Sequence, residues 1–129
     1  MNSLGFNLDL APVADLASVE NSFMAQRVYG KDAATAVPFV TAMVQGLTEQ
    51  NVTPCLKHFP GNGATAQDVH TGQAVSDRTL EQFQAEEFAV FQAGIDAGAP
   101  MVMVSLMAAP ALTGSNEPCA LSKEVVTDL

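Results

Sequence analysis

Positive charge is scarce in this chain. Five of its 129 residues are lysine or arginine against fourteen acidic ones, for a formal net charge of −9. With no basic stripe, neither a nucleic-acid backbone nor an anionic membrane surface is indicated as a partner. No run of about eighteen apolar residues occurs, so no segment reads as a membrane-spanning helix. A charged-then-apolar export segment is also missing ahead of the first apolar stretch. The residues given therefore favour the cytoplasm, and the compartment stays open to whatever an earlier segment would direct. The two cysteines, Cys55 and Cys119, lie far apart and form no Cys-X-X-Cys motif, so both read as free thiols. Cys55 falls in an apolar stretch and reads as a small buried residue rather than a nucleophile. No ligand spacing supports a zinc site among Cys55, His58, Asp68 and His70, and neither metal nor cofactor is indicated. Internal repeats and linkers are lacking as well.

What is present is an apolar content of 48%, enough for one folded unit with a core. Its polar chemistry is concentrated. Both histidines and one of the five basic side chains fall within the fourteen residues from Lys57 to His70. Asp68 stands two positions before His70, and a carboxylate so placed can hold an imidazole's tautomer and stabilise its protonated form. That pairing suits the histidine to proton transfer near neutral pH. The segment from Pro60 to Thr71 has glycines, short polar residues and no apolar period, the character of a loop that carries functional groups.

These residues carry a resemblance. Lys57-His58-Phe59-Pro60-Gly61-Asn62-Gly63 followed by Asp68-Val69-His70 resembles the K-H-F-P-G-H-G and D-S-H or D-T-H signature of glycoside hydrolase family 3, in its β-N-acetylhexosaminidase branch. Asn7 to Asp15 is similar to the N-F-A-P-V-x-D strand end of that family, and Arg27 to Asp32 to its R-S-F-G-x-D loop. Ser76-Asp77-Arg78-Thr79-Leu80 matches its D-R-[ST]-L helix opening. Ordered landmarks over nearly the whole chain are far more specific than one motif. The resemblance implies that His70 is the general acid/base, that Asp68 is its partner, and that Lys57, His58 and Arg27 contact the sugar. The substrate it implies is a carbohydrate with a terminal N-acetylglucosamine, such as a peptidoglycan fragment or a chitooligosaccharide. One departure stands out: Asn62 occupies the place of a loop histidine, and an amide hydrogen-bonds but does not titrate.

The pattern of the residues independently favours an α/β architecture with alternating strands and helices. Leu4 to Leu10 reads as a first strand and Val52 to His58 as a second, delivering Lys57 and His58 at its C-terminal end. Between them Asp32 or Thr35 caps a helix to about Glu49, with Val37, Val40, Val44 and Leu47 on one stripe and Pro38 in its early turns. Thr79 and Gln82 form a capping box for a helix whose face is Phe83, Phe88, Phe91 and Ile95 and whose end is Gly98. Met101 to Leu106 reads as a strand covered on both faces, and Ala108 to Pro118 as a loop. Leu106 and Met107 are apolar where the family often has a histidine, so no site is assigned there. Ser122 is expected to cap a last helix in which Asp128 is a solvated residue.

The family's catalytic domain is a (β/α)8 TIM-type barrel of typically about 250 residues. About three strand-helix units are expected here: a central piece of that barrel, residues 1–129, truncated at both ends. A retaining glycosidase also needs a nucleophile. The resemblance implies an aspartate at the end of a later strand, outside this chain. Three strands cannot close a barrel, so exposed edges and self-association are expected. The leading expectation is a piece of a retaining exo-β-N-acetylglucosaminidase, inactive by itself. The alternatives are a β-glucosidase of the same family, whose members generally lack the Asp-X-His pair, and a non-catalytic sugar-binding remnant, which Asn62 favours.

Overall fold

A computed structural model describes residues 1–129. Three parallel strands lie in the sheet order β1-β2-β3: Leu8–Asp9, Thr53–Phe59 and Met101–Val104. Helix α1, Ala33–Glu49, connects the first two strands, and α2, Leu80–Ala85, with α3, Glu87–Asp96, connects the second pair. A short α4, Pro110–Thr113, follows β3. This is the strand-helix alternation of a partial TIM-type barrel, as the sequence pattern and the resemblance led one to expect.

The central strand β2 is paired on both sides, and its consecutive residues Cys55 and Leu56 are both buried. Pro54, which has no N–H to donate, sits one residue before pairing with β3 begins at Cys55↔Met101. Near its end the ladder skips a residue. Lys57 pairs with Met103 and Phe59 with Val104, so His58 is the extra residue of a bulge. A bulge re-aims a side chain, here a histidine at the C-terminal end of the strand.

Asp32 caps α1 by accepting from the Thr35 N–H at 2.8 Å, and Ala36, Val40 and Val44 bury its inner face. These side chains meet Leu16, Leu56, Val90 and Phe91 in one core cluster. Gly94 permits the close approach of α3 to β2, because a β-carbon there would lie 2.6 Å from a Leu56 methyl. A second cluster gathers Ala64, Phe83, Met107, Cys119 and Val125 beneath the loops. Phe59 touches both, stacked with Phe88 at 5.1 Å and edge-on to Phe91 at 5.2 Å.

Several expectations need correction. The first strand is Leu8–Asp9 rather than Leu4 to Leu10, and Asn2–Leu4 forms a 3-10 turn. The chain still accompanies β2 beyond Asp9, through Cys55 N–H to Ala11 O at 2.8 Å and Lys57 N–H to Pro12 O at 3.2 Å. Pro12, however, cannot donate to a regular ladder. The helix expected after Thr79 is two helices broken at Glu86, and Ile95 is 46% exposed instead of lying on the buried face. Glu86 accepts from the Ala33 N–H at 2.8 Å, while the next residue, Glu87, is fully buried. The break lets adjacent carboxylates serve opposite directions. Strand β3 is shorter than expected and is not covered on both faces, since its successive residues Met101 and Val102 are 42% and 39% exposed. After Ser122, whose oxygen accepts from Val125 N–H at 3.4 Å, the chain makes a π-helical turn, Glu124–Asp128. Asp128 is exposed and pairs with Lys123 at 2.8 Å.

Candidate functional site

The site is built at the C-terminal ends of β2 and β3, where parallel α/β folds hold their ligands. Asp15 lies at its base, fully buried. Its Oδ1 accepts the backbone N–H of His58 at 3.1 Å and that of Asn62 at 2.6 Å, and its Oδ2 lies 2.7 Å from His58 Nδ1. A carboxylate is an acceptor, so it selects the tautomer with hydrogen on Nδ1 and leaves Nε2 as the free ring nitrogen. His58 is thereby fixed in both main chain and side chain.

Beyond His58 the chain turns through Gly61 into the 3-10 turn Asn62–Ala64. Gly63 passes so close to the Leu16 carbonyl that a β-carbon would overlap the oxygen. Gly61 has φ +140° and packs on Glu87, whose Cγ would lie 2.5 Å from an added β-carbon. Glu87 accepts from Ser18 Oγ at 2.7 Å and pairs with Arg78 Nη2 at 2.9 Å. Burial pushes its carboxyl above the ordinary value of 4.5, against the opposing pull of Ser18 and Arg78. The floor of the loop is therefore a buried carboxyl that Ser18 hydrogen-bonds through Oε1 and that Arg78 approaches at ion-pair distance through Oε2.

Asp68 and His70 lie on the loop that follows. Asp68 Oδ1 accepts the His70 backbone N–H at 2.9 Å and stands 2.7 Å from His70 Nδ1. The pair is solvent-facing, with side chains 41% and 71% exposed respectively. The His70 backbone bond and then its ring bond hold the Asp68 carboxyl below the ordinary value of 3.8, with a smaller contribution from the Arg27 charge. Asp68 thus stays a carboxylate through the mildly acidic range and keeps His70 Nε2 directed outward.

A cavity of about 170 Å³ brings His58, Asn62 and His70 together with Val69, Ser105 and Leu106. A larger hollow of about 520 Å³ between residues 1–3 and the end of α1 contains no carboxylate, imidazole or cationic side chain. The smaller one brings both histidines together. Lys57 and Arg27 do not line it. Lys57 is half-buried beside the bulge, and Arg27 is exposed with Nη1 3.5 Å from Met24 Sδ. Two residues were passed over in the sequence. Asp15 anchors His58, and Ser105 donates from Oγ to Asn62 Oδ1 at 2.8 Å. The available signal for Asp15 was its place at the end of the Asn7 to Asp15 motif; Ser105 offered none. Cys55 and Cys119 are buried free thiols, both pushed up by burial, Cys119 to about 11, which removes thiolate chemistry from consideration.

The whole chain, residues 1–129, matches the glycosyl hydrolase family 3 N terminal domain. A beta-hexosaminidase of Stenotrophomonas maltophilia (strain K279a) is 34% identical over 125 residues, which cover 97% of this chain and 36% of that protein. The chain therefore spans about a third of the length of such curated relatives. Among solved structures, the beta-N-acetylhexosaminidase from Beutenbergia cavernae DSM 12333 is similar with a TM-score of 0.87 and 34% identity, over 99% of this chain and 39% of that one. The beta-glucoside phosphorylase BglX bound to 2FGlc is similar with a TM-score of 0.90 and 26% identity, over 98% of this chain and 24% of that one.

Proposed function

We propose, from the premise that this chain belongs to the glycosyl hydrolase family 3 N-terminal domain, that it supplies the acid/base half of a retaining exo-β-N-acetylglucosaminidase. The observation that carries this reading is the His70–Asp68 pair at 2.7 Å, with His70 on the wall of the cavity that also holds His58. His70 Nε2 gives a proton to the glycosidic oxygen as the bond from C1 to that oxygen breaks, and in the second step takes one from the attacking water. Asp68 offsets the charge while the ring carries both protons. His58, held by Asp15, hydrogen-bonds a sugar hydroxyl. In this proposal Lys57 and Arg27 reach the sugar only when ligand or further barrel elements bring their long side chains inward. The nucleophile, an aspartate on a later strand, lies outside residues 1–129, so the domain alone does not turn over substrate.

A glucoside-acting reading has specific support in the likeness to the beta-glucoside phosphorylase. The hexosaminidase reading is favoured by the Asp-X-His pair and by relatives at 34% and 35% identity. The test is to assay the complete gene product on aryl N-acetyl-β-glucosaminide and aryl β-glucoside, with and without inorganic phosphate. Phosphate-independent release from the first, at least about tenfold faster than from the second, is expected, a gap that a single well-made polar contact to the acetamide can supply. Preference for the glucoside, or a strict need for phosphate, would move the reading to the other branch. Binding of N-acetylglucosamine without turnover would make the protein a sugar-binding remnant.

A further inference from the structure

Asn62 combines near-complete burial with hydrogen-bonding capacity that the protein does not use. It is 2% exposed and its side chain lines the cavity. Its backbone N–H is held by Asp15, the same carboxylate that fixes His58, so both residues are referenced to one rigid point. Its side-chain orientation follows from a chain of donors. Ser105 Oγ accepts the Met107 N–H at 2.9 Å and lies 2.8 Å from Asn62 Oδ1. The hydroxyl accepts from the Met107 amide with one lone pair and donates its single proton to Asn62 Oδ1. The oxygen end of the amide therefore faces Ser105, and Nδ2 faces elsewhere. The bonds of Asn62 end with these, and Nδ2 has no acceptor within the protein. Nδ2 keeps access to solvent, since the buried side-chain atoms left without a partner are Arg78 Nε and Glu87 Oε2, and on the wall of a cavity beside two imidazoles a ligand oxygen can replace the water it would otherwise bind.

We infer that Asn62 Nδ2 is a ligand-binding donor that takes an acceptor oxygen of the bound sugar, a hydroxyl or an acetamide carbonyl, and that Ser105 is the positioning residue that keeps the amide from flipping. This rests on the reading of the cavity as a sugar site. Because an amide does not titrate, the contact is independent of pH.

The test is made in the complete enzyme with aryl N-acetyl-β-glucosaminide. Asn62→Asp keeps the shape and the Ser105 bond but exchanges the N–H donors for a carboxylate oxygen. KM is expected to rise about tenfold with kcat within about threefold, since the contact is made with ground state and transition state alike. The KM ratio of variant to wild type should shrink toward acid pH, where the protonated carboxyl regains a donor. Ser105→Ala frees the amide to flip and should raise KM by a smaller factor, about two- to fivefold. A folded Asn62→Asp enzyme with the wild-type KM, or a KM defect that does not change with pH, overturns the inference. Should Asn62→Asp fail to fold, Ser105→Ala decides, and an unchanged KM there overturns it. An inactive wild type counts against the hexosaminidase reading instead, and the same ratios are then read from the dissociation constant of N-acetylglucosamine.

Discussion

At the scale of the residue, two carboxylates are driven in opposite directions by their surroundings. Asp68 is held low by bonds from His70, so whatever it adds to stability is present above the ordinary 3.8 and lost only as pH falls through its lower folded value. Glu87 is the reverse case. Its folded pKa lies above 4.5, so its contribution is fully present below 4.5 and is lost as pH rises through the folded value. Replacing Glu87 by Gln removes this dependence. Thermal melts should show the melting temperature of wild type minus that of Glu87→Gln falling as pH is raised from about 4.5 to 7. A difference that is flat or grows with pH contradicts the burial argument. The same residues show what was legible. Asp68 and His70 sit two positions apart, so local spacing revealed them, and the structure pairs them at 2.7 Å. Asp15 meets His58, and Ser105 meets Asn62, across 43 residues in each case, and such contacts exist only once the sheet aligns the strand ends.

At the scale of the element, the loop after β2 is positioned by glycines rather than by regular structure. Gly63 lies against the Leu16 backbone oxygen, which cannot rotate away as a side chain could. Gly63→Ala must therefore displace main chain in the turn that carries Asn62. A loss of about 2 kcal/mol is expected from the overpacking, seen as a lowered denaturation midpoint, together with weakened sugar binding. An alanine variant with wild-type stability and binding would mean that the turn is less constrained than its geometry indicates. Helices were legible where local signals agreed. Asp32 caps α1 and Thr79 with Gln82 form the capping box of α2, as their spacing predicts. The break at Glu86 was not, since the contact its side chain makes there is with Ala33, 53 residues earlier, and no local signal carries it. For β1, apolar content pointed to a strand from Leu4, but the chain closes a 3-10 turn there with Gly5 at φ +87°, and pairing with β2 begins only at Leu8.

At the scale of the whole molecule, an acidic surface surrounds an open sheet. Edge strand β3 exposes Met101 and Val102, and an all-apolar hollow of about 290 Å³ runs from Phe91 and Ile95 to Val126 and Leu129. Unpaired edges and apolar faces favour association, while a net charge of −9 opposes it. Salt screens the second effect but not the first. The polypeptide of residues 1–129 is therefore predicted to self-associate, more strongly at about 0.5 M than at 0.05 M salt, by light scattering on a size-exclusion column. A monomer at both salt concentrations would show that these surfaces are not adhesive.

The proposed role of His70 as proton donor is tested by the leaving-group dependence of His70→Ala in the complete enzyme. With a sugar as leaving group, which needs protonation, turnover should fall by roughly 100-fold or more. With an acidic aryl leaving group the loss should be much smaller, because little proton transfer is needed. Equal losses on both substrates, or no loss on either, would contradict the assignment of His70.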